Sequence, residues 1–111
     1  MRQRPSAGRY DLLSRPAMRL LLRMRQRADE AELPITVCGE AAGRPLEALA
    51  LIAIGYRRLS MQAARIAPIK LLVRSVDMSK LAQRVQAALD GPDQSTRNAM
   101  LSIADEFGVK I

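Results

Sequence analysis

The chain has 111 residues but no histidine, no tryptophan, one cysteine and only three aromatic side chains. Without histidine, this chain offers no imidazole for acid–base work, metal ligation or a phosphorylated intermediate. One cysteine cannot form an internal disulfide, which fits a reducing, cytoplasmic setting. With aromatics at 3%, the core must be built from Leu, Ile, Val, Met and Ala, and few rings are available to stack bases. No apolar run approaches the ~18 residues that span a bilayer. The basic N-terminus leads into no apolar segment with a cleavage site, so no signal peptide is expected. Acid is scarce early on: residues 1–27 carry eight arginines against Asp11 alone, and residues 28–111 balance ten bases with ten acids.

That basic segment holds the whole net charge of +7. Arg15, Arg19, Arg23 and Arg27 fall in a row at four-residue steps. Like charges so placed repel by ~0.2–0.5 kcal/mol per pair. Either solvent screens them on an exposed helix face, or an anion such as nucleic acid or an acidic protein neutralises them. An Arg-rich, acid-poor start also has the composition of a transit peptide.

The stretch that organises the rest is Pro34-Ile35-Thr36-Val37-Cys38-Gly39-Glu40-Ala41-Ala42-Gly43-Arg44-Pro45. Three β-branched residues before the lone cysteine predict a short buried strand. Gly39 relieves sterics after the cysteine, Gly43 suits a helix N-cap, and Pro45 suits the first helical turn. Strand, reactive side chain, turn and helix is the layout with which α/β enzymes present chemistry at the carboxyl end of a sheet.

In chain order, residues 1–9 read as an irregular basic lead-in broken by Pro5 and Gly8. Ser14 caps a helix whose apolar face is Ala17, Leu20, Leu21, Met24, Ala28 and Ala31. Three carboxylates at its end oppose the helix dipole, so it frays near Leu33. A helix over residues 45–54 is apolar on most sides and expects burial on several faces; Gly55 fits its C′ position. Arg57–Met61 forms a second strand, and Pro68 opens a helix through Arg74. Asp77 or Ser79 caps a helix with the stripe Leu81, Val85, Ala88 and Leu89. After the Gly91–Pro92 break, Ser95 caps a last helix with Met100, Ile103, Ala104 and Phe107, ended by Gly108. The two strands form one βαβ unit and should be parallel neighbours. Two parallel strands alone make a poor domain, so the expectation is the tail of a larger α/β protein.

The block Val37-Cys38-Gly39-Glu40-Ala41-Ala42-Gly43, followed by Leu46-Glu47-Ala48, resembles the phosphoenolpyruvate-utilising enzymes. It is most similar to enzyme I of the phosphotransferase system, the phosphoenolpyruvate–protein phosphotransferases. Leu59-Ser60-Met61, Ile66-Ala67-Pro68-Ile69-Lys70 and Arg74-Ser75 look like that family's tail, and Tyr10 to Ala17 looks like its lead-in. The wording around Arg44 to Ala48 leans toward the nitrogen-regulatory branch. The resemblance implies an α/β fold that is a fragment of a (β/α)8 barrel, with residues 10–111 supplying strands seven and eight and their flanking helices. It implies a reaction in which a histidine on another domain takes phosphate from phosphoenolpyruvate and pyruvate leaves as an enolate held by Mg2+. Cys38 would then protonate the enolate, a role that suits a thiol, which carries its proton at neutral pH unless cations lower its pKa. Gly39 and Glu40 would support the substrate loop, Glu40 either orienting neighbours or standing solvated. The metal ligands, the phospho-accepting histidine and most phosphate-gripping arginines would lie outside this chain, which should be inactive alone. The implied partners are phosphoenolpyruvate, a histidine phosphocarrier protein and a second copy in a homodimer. The competing reading is a small basic helical module that binds nucleic acid or an acidic protein.

Overall fold

The computed structural model describes residues 11–91 and 96–109. The lead-in over residues 1–9, Tyr10, Pro92 and the Ser95 cap fall outside them. The described elements are α1 (Arg15–Glu30), β1 (Thr36–Cys38), a 3-10 turn (Glu40–Gly43), α2 (Pro45–Ala53), β2 (Arg58–Ser60), α3 (Ala63–Arg74), α4 (Met78–Asp90) and α5 (Thr96–Glu106). This is a helix-rich α/β arrangement. The order matches the hydrophobic pattern, with the 3-10 turn added.

The core sits around α2. Leu46, Ala48, Leu49, Ala50 and Leu51 are all buried, as an apolar helix without a polar face requires. Leu81, Val85 and Leu89 of α4 and Met100, Ile103 and Ala104 of α5 cover it. Each Leu so buried contributes ~1.5–3 kcal/mol relative to exposure. Tyr56, just past α2, is also buried, and its hydroxyl donates to the Leu21 carbonyl of α1 at 2.7 Å. Burial pushes that phenol above its ordinary pKa, against the opposing pull of Arg25. No helix among the described residues is long and apolar enough to cross a membrane.

Several caps follow the sequence. The Ser14 hydroxyl accepts from the Ala17 N–H at 3.3 Å, and Asp77 accepts from Ser79 and Lys80. Gly108 leaves α5 at φ +74°. Four expectations need correction. First, α1 does not bury Leu20 and Met24, which are 57% and 45% exposed; Met18 and Leu22 face the core beside the expected Leu21. Bonds from Tyr56 and Arg25 fix the rotation of α1 about its axis, and three-residue periodicity leaves two adjacent stripes open to choice. Second, α1 stops at Glu30 in a capped turn before Leu33: Glu32 turns left-handed at φ +57°, and the Leu33 N–H donates to the Ala28 carbonyl at 2.9 Å. Third, Arg44 rather than Gly43 stands at the N-cap of α2, because Gly43 is taken into the 3-10 turn. Fourth, α3 starts at Ala63, with Pro68 inside it. Only Met61 and Gln62 separate β2 from α3, so the chain enters the helix at once and tolerates one backbone bond lost at an exposed proline.

The arginine row of α1 is not uniform. Arg19 donates to the Leu89 carbonyl at the end of α4 at 2.9 Å. Arg25, off the row, donates through Nε to the Ile54 carbonyl at 2.8 Å and pairs with Asp29. Gly55 makes the Arg25 bond possible: it sits at φ +108°, and a Cβ there would lie 2.6 Å from Arg25 Nε. We expect Gly55→Ala to cost at least ~1–3 kcal/mol from backbone strain alone, with the Arg25 cap lost in addition. Urea unfolding of the two proteins checks this, and an unchanged midpoint would contradict it.

One polar cluster is built into the core margin. Arg97 of α5 donates to both carboxylate oxygens of Asp11, at 2.8 and 2.6 Å, and to Glu47 of α2 at 3.0 Å. Arg44 adds a longer contact to Glu47 at 3.5 Å. The Arg97 hydrogen bond holds the Asp11 carboxyl below its usual pKa, assisted by the Leu13 N–H and opposed by burial. A lowered carboxylate pKa stabilises the fold fully above the unfolded value. That stability is lost as pH falls below ~4 toward the native pKa. We expect unfolding free energy to decline with acid in this window, and Arg97→Met to flatten the decline. Urea midpoints at pH 5 and pH 3 measure it.

Candidate functional site

β1 and β2 are too short to bury much of themselves, and their position is what matters. They pair in parallel with Thr36 opposite Arg58, Val37 opposite Leu59 and Cys38 opposite Ser60. The parallel, neighbouring arrangement agrees with the βαβ reading. Parallel strands deliver their carboxyl ends to the same edge, so Cys38 and Ser60 finish side by side. The expectation of a buried strand is corrected: only Val37 is half-buried, while Thr36 and Cys38 are exposed. β-branching reports a pleated surface, and here no further described strand or helix covers the outer side.

Beyond this edge lies an open cavity of about 550 Å³. Gly39, Glu40 and Gly43 line it from the turn after β1. Ser60, Met61 and Gln62 line it from the end of β2, and Arg65 from the first turn of α3. Gly39 has φ +111° with nothing within 4 Å of a built Cβ, so the backbone bend, not crowding, requires glycine. Gly43 is the opposite case. It is buried, and a Cβ would meet Arg65 Cγ at 3.2 Å and Met61 Cβ at 3.3 Å. The loop and α3 therefore approach closely across it.

Of the residues singled out in the sequence, Gly39 and Glu40 line the cavity directly, and Cys38 stands one residue behind its rim. Glu40 is largely exposed, with Arg44 Nη2 3.8 Å away. At that distance and exposure the pair contributes ~0–1 kcal/mol, leaving the carboxylate free to move. Sequence reading missed Gln62 and Arg65 as site residues. Their signal was position: both follow the second strand at its carboxyl end, where α/β folds collect function. It also missed Glu47, which is buried beside Arg97 rather than lining the cavity.

The comparisons extend this geometry. The family model for the PEP-utilising enzyme, PEP-binding domain, matches residues 2–78. The chain is 34% identical over 84 residues to a Salmonella typhimurium protein named phosphoenolpyruvate-dependent phosphotransferase system, covering 76% of this chain and 11% of that protein. The Escherichia coli protein of the same name is 33% identical over the same shares. A phosphoenolpyruvate-protein phosphotransferase of Cupriavidus necator is 29% identical over 92 residues, covering 83% of this chain and 16% of that protein. The chain thus spans only about a tenth to a sixth of these relatives. No solved structure gives a significant match. With the family model covering well over half of its length, and with the cysteine block at the carboxyl edge of a parallel strand pair, this chain belongs to the PEP-utilising enzymes, in their PEP-binding domain.

Proposed function

We propose that residues 10–111 supply strands seven and eight of the (β/α)8 barrel of a phosphoenolpyruvate–protein phosphotransferase, and that Cys38 is its enolate-protonating acid. The observation that carries this reading is the shared carboxyl edge, where Cys38 lies opposite Ser60 beside an open cavity. The uncovered side of the strands fits a sheet continued by further strands.

The chemistry divides between this chain and the rest of such an enzyme. A histidine nitrogen attacks the phosphorus of phosphoenolpyruvate, and the bond from phosphorus to the enol oxygen breaks. The electron pair stays with the three-carbon fragment as an enolate. Since this chain has no histidine, the acceptor belongs to another domain. The Cys38 thiol then passes its proton to the methylene carbon, giving the methyl group of pyruvate and leaving a thiolate that solvent reprotonates. A polarisable thiol suits a carbon base, and its exposure here allows that recharging. Gly39 keeps bulk away from the reacting carbon, and Glu40 stands over the loop.

The family's metal finds no seat here. Among the described residues no three of His, Cys, Asp and Glu are grouped to hold an ion, and the cavity's one carboxylate, Glu40, lies by Arg44. These residues do not fit a magnesium site, and no step above runs through one. The partners of this reading are phosphoenolpyruvate, a cytoplasmic histidine phosphocarrier and a second copy in a homodimer. The test is a chimera in which this chain replaces the matched segment of the Escherichia coli relative, with Cys38 or Cys38→Ala. Pyruvate release from phosphoenolpyruvate is the readout, and the isolated chain, expected to be inactive, is the blank. Equal rates from the two chimeras would remove Cys38 from the mechanism.

A further inference from the structure

The cavity beside Cys38 contains a cation that no protein group uses. Arg65 lines it from the first turn of α3, and no ion pair among the described residues includes Arg65. Arg97, Arg84, Arg25 and Arg44 have carboxylate partners, and among the described arginines that have none, Arg65 is the one that lines the cavity. The Arg65 stem is held close. Its Cβ and Cγ would lie 3.4 and 3.2 Å from a Cβ on Gly43, so the glycine backbone forms the floor on which the stem rests. The residue is exposed, so its guanidinium stays open to a ligand while its stem packs on the loop. The cavity lining also carries the neutral donors and acceptors Ser60 and Gln62, and its volume admits a ligand of a few heavy atoms with water.

We propose that Arg65 is a ligand-binding residue of this cavity that holds the oxyanion of a small phosphorylated or carboxylated acid through paired N–H bonds. A guanidinium fork matches either planar or tetrahedral oxyanions. That the ligand is the substrate whose enolate meets Cys38 rests on the reading proposed above; the cavity and its unpaired cation do not. Arg65 then sets orientation: with one anionic end gripped on α3, the carbon skeleton of the ligand lies toward the end of β1.

The test is an NMR titration of the intact chain at low salt, with inorganic phosphate and pyruvate as separate probes. The expected result is saturable movement of the Gly39, Gly43 and Arg65 amide signals by at least one probe. Arg65→Gln should weaken that binding ~10–100-fold, the loss expected for charge-assisted hydrogen bonds, and Arg65→Lys should recover part of it. Saturation by phosphate alone assigns the site to a phosphoryl end, and saturation by pyruvate alone to a carboxylate end. Arg74→Gln, at the far end of α3, removes the same charge elsewhere. Equal weakening by Arg74→Gln would reduce the effect to general charge and overturn the proposal, as would no saturable binding by either probe. The Cys38 reading is separately readable. Arg65-dependent binding together with chimeras insensitive to Cys38→Ala keeps the anion site and discards the thiol's role. The converse pair of results discards Arg65 and keeps the thiol.

Discussion

Pyruvate release by the chimera should fall ~10²-fold or more on Cys38→Ala, the lower part of the range that a positioned general acid contributes. The lower part is chosen because Cys38 is exposed, so water can protonate the enolate slowly in its place. In the proposed mechanism the step that breaks the phosphorus–oxygen bond does not involve the thiol. A rapid-quench experiment should therefore show phosphohistidine forming at an undiminished rate while pyruvate lags behind it. Cys38→Ser separates shape from acidity: it keeps the size and the bond geometry but supplies a far weaker acid, so it should resemble Cys38→Ala. If serine restored the rate, the position would matter only for packing. Water can deliver a proton to either face of an enolate, whereas a thiol fixed at a strand end serves one face. Isotopically labelled substrate should accordingly give a single methyl configuration with Cys38 and a mixture without it.

The second large effect falls far from the cavity. Arg97→Met should destabilise the chain by ~2 kcal/mol, less than the ~3–5 kcal/mol lost when a fully buried pair is broken. Glu47 is 4% exposed and would keep only Arg44 at 3.5 Å. The loss is smaller because the Arg97 side chain is 37% exposed and solvent screens part of its interaction. For a domain near 100 residues, ~2 kcal/mol lowers the melting temperature by about 10 °C. Glu47→Leu placed in the Arg97→Met background should recover most of the loss, since well-packed apolar residues replace a buried ion pair at little cost. Calorimetry of the single and double variants decides it. A loss below about 0.5 kcal/mol would mean that the cluster behaves as an ordinary surface pair.

Much of this fold was legible because its signals are local. Ser14, Asp77, Gly55 and Gly108 act on their own or neighbouring backbone groups, so their identities predict the ends of helices. The apolar run over residues 45–54 left no polar face to expose, and burial was its only outcome. The errors arise where a distant partner decides. Two stripes of α1 were hydrophobic enough to face inward, and bonds from Tyr56 and Arg25, about thirty residues apart in sequence, selected the second. Pro68 looked like a helix start because proline favours that place, but the shortness of the link after β2 overrode it. At the site, Cys38, Gly39 and Glu40 stood out by residue type and by family resemblance. Arg65 did not, because an arginine in a helix is common and only the three-dimensional closeness of Gly43 distinguishes it.

The family match ends at residue 78, where α4 begins. Yet α4 and α5 are what keep α2 away from water. The edge of the family model is therefore not a boundary of folding. The two closing helices present a waxy inner surface to α2 and act as its roof. Transplanting the cysteine stretch into another scaffold would leave its supporting helix bare, unless that roof travelled with it.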